Sequence, residues 1–211
     1  MQNKIDHFAI GASTLKQGAS ILKSVLGVEI PKGGKHAAMS THNCVVQAGG
    51  ESFLEIIAID PEAPLPGRAR WFTLDDASTQ TRLAARPRAL CWVVGTDDLD
   101  GVIANSPVDL GEVVLFTRGD RSWRLTVPSD GSLPEQGLLP AFIEWSPGPH
   151  PSSGMQDLGI TLKTIRLSHP DPAGLTKKLQ ALGVDHLASV TEGEAGLAFE
   201  LNSPNGLAAL D

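Results

Sequence analysis

One order of elements recurs three times along these 211 residues: a strand, a helix, then three strands. Such a repeat constrains a fold more than any single motif, because each copy must bury its apolar face against a neighbour. The first unit spans residues 1–60, the second 89–145 and a third, C-terminal unit 160–211. Linkers 61–88 and 146–159 separate them. The mixture of strands and helices places the chain in the α+β class.

In the first unit, Lys4 to Ile10 reads as a strand, with Ile5, His7 and Ala9 on one side and Asp6, Phe8 and Ile10 on the other. Ser13 is the expected cap of a helix from Thr14 to Leu26, which Gly27 stops. Val28 to Ile30 reads as a short strand ended by Pro31. Thr41 to Ala48 and Ser52 to Ile59 are strands joined by Gly49-Gly50, a hairpin signal. The second unit has strands at Ala89–Gly95, Gly111–Phe116, Ser122–Val127 and Ala141–Trp145, with a short helix at Leu99–Asn105 capped by Asp97 or Asp98. In the third, Ile160–Leu167 precedes a helix from Pro170 to Leu182, and three short strands follow. Prolines 61, 64, 66 and 87 mark the first linker as irregular, an ordered connection wrapped on the surface or, alternatively, a cover for a cleft mouth.

Composition narrows the function classes. A net charge of −7 disfavours nucleic-acid backbones and anionic membranes. No apolar run approaches the ~20 residues of a membrane span, and MQNKIDHFAI lacks the features of a signal peptide. Cys44 and Cys91 sit inside apolar runs and read as buried free thiols of a reducing cytoplasm.

The chemistry-bearing residues are few. Glu55 stands alone between Leu54 and Ile56, where an unpaired acid is costly to bury. In a purely structural role it would hydrogen-bond His7 or an arginine. Phe53-Leu54-Glu55-Ile56 aligns with Phe142-Ile143-Glu144-Trp145, so Glu144 takes the same place in the second unit. Glu144 is either a ligand or general base, or a buried acid paired with Arg124. His36, His42 and Asn43 flank a glycine loop, and histidine titrates near neutrality, which suits acid–base work. His42 and Asn43 otherwise shape only the strand entry. His36 joins Glu144 as a catalytic candidate. His42, Asn43, Trp71, Trp92 and Arg124 are the candidate substrate-binding residues. His150 and His186 read as surface residues.

The landmarks IDHFAI, GGKH with STHN, FLEIIAIDPEAP, the Trp71-Phe72 pair, RSWRLT and FIEW are spread over most of the chain. In these the sequence resembles the glyoxalase-like domain family of the vicinal oxygen chelate superfamily. The resemblance implies repeated βαβββ modules forming a curved mixed sheet around a cleft that binds a small oxygen-rich molecule. It also implies metal slots on the first and last strand of each unit: here His7, Glu55, Cys91 or Trp92, and Glu144. Imidazole with carboxylate suits zinc, nickel or iron. Tryptophan is no ordinary ligand, so if Trp92 fills the slot at most three protein ligands remain, His7, Glu55 and Glu144. Two functions follow: a metal-dependent lyase or isomerase of the glyoxalase type, or a metal-free protein that binds or sequesters a small molecule. A homodimer is compatible with either, with the third unit pairing to a partner chain or extending the sheet.

Overall fold

The computed structural model describes residues 3–211. The first unit comprises β1 (Lys4–Gly11), α1 (Leu15–Leu26), β2 (Lys32–His36), β3 (Thr41–Gln47) and β4 (Phe53–Ile59). The second comprises β5 (Arg88–Gly95), α3 (Leu99–Ala104), β6 (Glu112–Arg118), β7 (Arg121–Val127) and β8 (Ala141–Trp145), preceded by α2 (Ala77–Ala85). The third comprises β9 (Thr161–His169), α4 (Pro172–Ala181), β10 (Ala188–Glu192), β11 (Gly196–Ser203) and β12 (Gly206–Leu210).

Local signals explain most boundaries. Thr14, one residue after the expected cap, accepts the Gln17 amide at 3.1 Å, and Gln17 reaches back to the Ser13 amide. Gly27 closes α1 at φ 78°, a conformation glycine adopts without steric cost. Gly49 and Gly50 both take positive φ, as a tight hairpin of right-handed twist requires. The second strand lies at Lys32–His36, beyond Pro31, not at 28–30. The first linker contains α2, capped by Asp76. Only Thr79 and Leu83 of that helix are buried, so it carries almost no apolar stripe for a periodicity argument to find.

Eight strands form one curled sheet in the order β2-β3-β4-β1-β5-β8-β7-β6. Within each of the first two units the first and last strands pair in parallel, β1 with β4 and β5 with β8. The units join where β1 and β5 pair antiparallel. The third unit does not extend this sheet; β10-β9-β11-β12 form a separate one. Its apolar face covers the outer side of the large sheet, where Phe199 meets Phe8 with ring centres 4.8 Å apart. This outer core also holds α1 and Trp92, and a second core fills the inside of the curl around Cys91, Val93 and Trp123. Among the described residues no helix is long and apolar enough to cross a membrane.

Two register details decide what faces the cleft. Between Ile5 and His7 the β1–β5 register shifts, as a bulge at Asp6 does. The units also differ by one residue. His7 stands opposite Phe53 in the first, and Val93 stands opposite Ala141 in the second. Ile143, two residues beyond Ala141, therefore holds the place of Glu55.

Candidate active site

A narrow cavity with about 50 Å³ of free space opens on the concave side of the sheet. Its polar half comes from the first unit: His7 from β1, His36 from the end of β2, Asn43 from β3 and Glu55 from β4. Alternation explains the set, since Asn43 and Val45 face inward while Cys44 and Val46 enter the outer core. Phe53 and Glu55 likewise face in, and Leu54 and Ile56 face out. Gly33 and Gly34 are glycines for a reason. A Cβ at Gly33 would strike the Asn43 side-chain oxygen, which accepts the Gly34 amide at 2.7 Å.

Glu55 is 4% exposed and His7 8%. Glu55 Oε2 lies 3.8 Å from His7 Nε2, and Oε1 accepts Asn43 Nδ2 at 2.6 Å. His7 Nδ1 meets Asp6 Oδ1 at 2.5 Å. The other Asp6 oxygen accepts Trp145 Nε1 at 2.6 Å and His150 Nε2 at 2.9 Å. The Ser152 amide donates to His150 Nδ1 at 3.2 Å, which leaves the His150 proton on Nε2 and aimed at Asp6. Burial opposes ionisation of Asp6, yet the hydrogen bonds and charges of His150 and His7 hold its carboxyl far below the usual range. Burial alone would pull His7 down, but the Asp6 hydrogen bond and the Asp6 and Glu55 charges push it up. Desolvation pushes half-buried His36 down to about 4, so it stays neutral at pH 7.

The other half is apolar. Trp123, Leu125, Ile143 and Trp145 line it, and Pro151 and Met155 of the second linker close its end. Trp71 and Phe72 of the first linker cover the mouth. Aromatic rings pass around the cavity from His36 to Trp71 (5.0 Å), Phe116 (5.2 Å), Trp123 (5.7 Å) and Trp145 (5.1 Å). Phe72 and Thr73 hold φ of 61° and 57°, strained for side chains of that size.

The structure brings His7, Glu55, His36, Asn43 and Trp71 together. It does not bring Glu144, Arg124, His42 or Trp92. Glu144 accepts Arg124 Nη1 at 2.8 Å and the Leu99 amide at 3.3 Å, on the outer face beside α3. Arg124 also binds Asp100. His42 faces away from the cleft, 3.9 Å from Asp60. Trp92 is fully buried in the outer core and donates to the Leu138 carbonyl at 3.3 Å. The cause is common to Glu144, Arg124 and Trp92: a one-residue slip in alignment turns every side chain to the opposite face. Asp6 and His150 are among the site residues that escaped the sequence. Strict alternation put Asp6 on the wrong side because a bulge leaves no mark in composition. His150 reads as surface, yet its side chain is 8% exposed and bonds Asp6, 144 residues away.

A resident divalent metal needs three or four converging donors. Among the described residues, no group of three His, Cys, Asp or Glu side chains is arranged to hold one. The second unit offers Val93 and Ile143 where the first offers His7 and Glu55, and one Glu55 oxygen already serves Asn43. The residues present do not fit zinc, nickel or iron.

The sequence profile of a family described as "Glyoxalase-like domain" matches residues 5–183. No curated protein matches in sequence. Among solved structures, a hypothetical protein from Staphylococcus aureus is 16% identical at TM-score 0.64, over 99% of this chain and 84% of that one. A mutant 4-hydroxymandelate synthase from Streptomyces coelicolor is 13% identical at TM-score 0.50, over 97% of this chain and 60% of that one. At these identities the likeness is one of fold. Family membership supports small-molecule binding in the sheet cleft. The chain belongs to the glyoxalase-like domain family, and its curled eight-stranded sheet has the vicinal oxygen chelate fold.

Proposed function

We propose that the cleft binds a small carbonyl compound and that Glu55 and His7 move a proton on it, giving enolisation or isomerisation without a step through a metal. The observation that carries this reading is the buried Asp6–His7–Glu55 array on one wall of a cavity whose opposite wall carries Trp123, Leu125, Ile143 and Trp145. Asp6 accepts from His7 Nδ1, so Nε2 is the nitrogen presented to the ligand. The raised His7 pKa favours an imidazolium, whose Nε2–H donates to the carbonyl oxygen. Glu55 Oε2, held by Asn43 through its other oxygen, takes the proton from the adjacent carbon. The C–H electron pair passes into the enolate, and return of the proton to another position completes the isomerisation. His36, neutral, is a hydrogen-bonding neighbour and not the acid.

The test is deuterium incorporation beside the carbonyl of a panel of small oxo compounds in D2O, read by proton NMR. His7→Ala and Glu55→Gln should each slow exchange by about 10²–10⁴-fold. Ligand binding without any exchange, equal in wild type and both variants, overturns the chemistry and leaves the second reading, a binding or sequestering protein. The apolar second half of the cleft favours that alternative. One equivalent of zinc, nickel or iron in protein purified without chelators, lost in His7→Ala, overturns the metal-free route. Pairing of two copies and a cytoplasmic location belong to the same proposal. Sedimentation velocity and cell fractionation test them.

A further inference from the structure

Arg118 lines the cleft at its mouth, on the side of His36, Asn43 and Glu55. It closes β6 and stands directly opposite Arg121, which opens β7. Opposed residues of a strand pair share a face, so both arginines lie on the side that presents Phe116 and Trp123 inward. Like charges placed opposite each other destabilise a strand pair. Elsewhere on the hairpin charges are matched: Glu112 meets Arg68, and Arg124 meets Asp100 and Glu144. Among the described residues Arg118 and Arg121 have no carboxylate within the 4.0 Å of an ion pair, Asp120 in their own turn included. Gly34 gives the first of them its seat. A Cβ there would lie 2.7 Å from Arg118 Nη1.

We infer that Arg118 and Arg121 form a clamp for an oxyanion at the cleft mouth, so that the ligand carries a carboxylate or phosphoryl group on an apolar, planar body. A guanidinium fork matches the paired oxygens of such a group, and Arg121 shares the strand-pair face of Arg118. The aromatic wall of Trp71, Trp123 and Trp145 would hold the body, and the anion would then fix its distance from His7 and Glu55. This inference rests on the reading that the cleft binds a small molecule, and it names the chemical class of that molecule.

Tryptophan fluorescence titrations with benzoate, phenyl phosphate and neutral benzamide test it. At least one anion should bind about tenfold more tightly than benzamide at low salt, and the advantage should shrink as salt rises. Which anion wins separates a carboxylate from a phosphoryl ligand. Arg118→Gln combined with Arg121→Gln should erase the anion advantage and leave benzamide within about twofold; both positions are at the surface end of a hairpin, and thermal melts verify the fold. Benzamide binding with no anion advantage, or an advantage that survives the double substitution, overturns the clamp and spares the cleft reading. No binding by any of the three up to roughly 10 mM overturns the clamp and an aromatic ligand together.

Discussion

The two halves of the cleft descend from the same strand order yet do opposite things. The first unit puts His7, Asn43 and Glu55 on the concave face, and the second puts Val93, Trp123 and Ile143 at the corresponding places. The second unit is not poorer in polar residues. It carries Arg124 and Glu144, one position out of step and therefore on the outer face, where they tie β7 and β8 to α3. A duplicated scaffold thus yields one wall for chemistry and one for shape. The difference lies in register more than in composition.

The largest way to break the comparison is to remove the carboxylate beneath the polar half. Asp6→Ala leaves Trp145, His150 and His7 without their common acceptor and should cost about 3–5 kcal/mol in urea unfolding. A loss below about 1 kcal/mol would mean that the three donors find other partners. The same array sets a pH dependence. The Asp6 pKa is lowered from 3.8, so its stabilisation is full above that value and is lost as pH falls further. The His7 pKa is raised from 6.5, so its contribution is full below 6.5 and is lost as pH climbs through the raised midpoint. Unfolding free energy should therefore fall at both ends, and Asp6→Asn should flatten both slopes.

Making the apolar half imitate the polar one comes next. Ile143→Glu places a carboxylate opposite Leu125 with no donor in register and should cost about 2–3 kcal/mol. An unchanged urea midpoint would show that the second wall is wetter than its lining suggests. A smaller loss is expected for Asn43→Ala, about 1–2 kcal/mol, as Glu55 gives up its bond to Asn43 Nδ2. The proton-exchange rate should fall with it. Smallest of all is Glu144→Gln. Its ion pair with Arg124 is part exposed, so less than about 1 kcal/mol is at stake and cleft binding should not change. If cleft binding fails in Glu144→Gln while the fold holds, the outer-face placement of that carboxylate is wrong.

How far the site was legible depends on how far each residue depends on its neighbours in sequence. Glu55 was found because an acid between Leu54 and Ile56 is conspicuous in any strand. Its inward face followed from alternation within β4. Trp71 was found because an irregular linker bearing Trp-Phe is suited to covering a mouth. Asp6 was lost to a bulge and His150 to a contact across the fold. Arg118 gave no sign until β6 and β7 were paired and Gly34 lay beneath it.

The sequence by itself determined the order of strand, helix and three strands, the Gly27 stop of α1 and the Gly49-Gly50 turn. Those features rest on local backbone preference and on burial, which a short window of residues contains. Only the tertiary structure decided which face each strand of the second unit shows, that the third unit forms its own sheet, and that Asp6 gathers His7, Trp145 and His150. Facing is a period-two property, which a single bulge or a one-residue offset inverts. A hydrogen bond across 144 residues exists only after the chain has closed on itself.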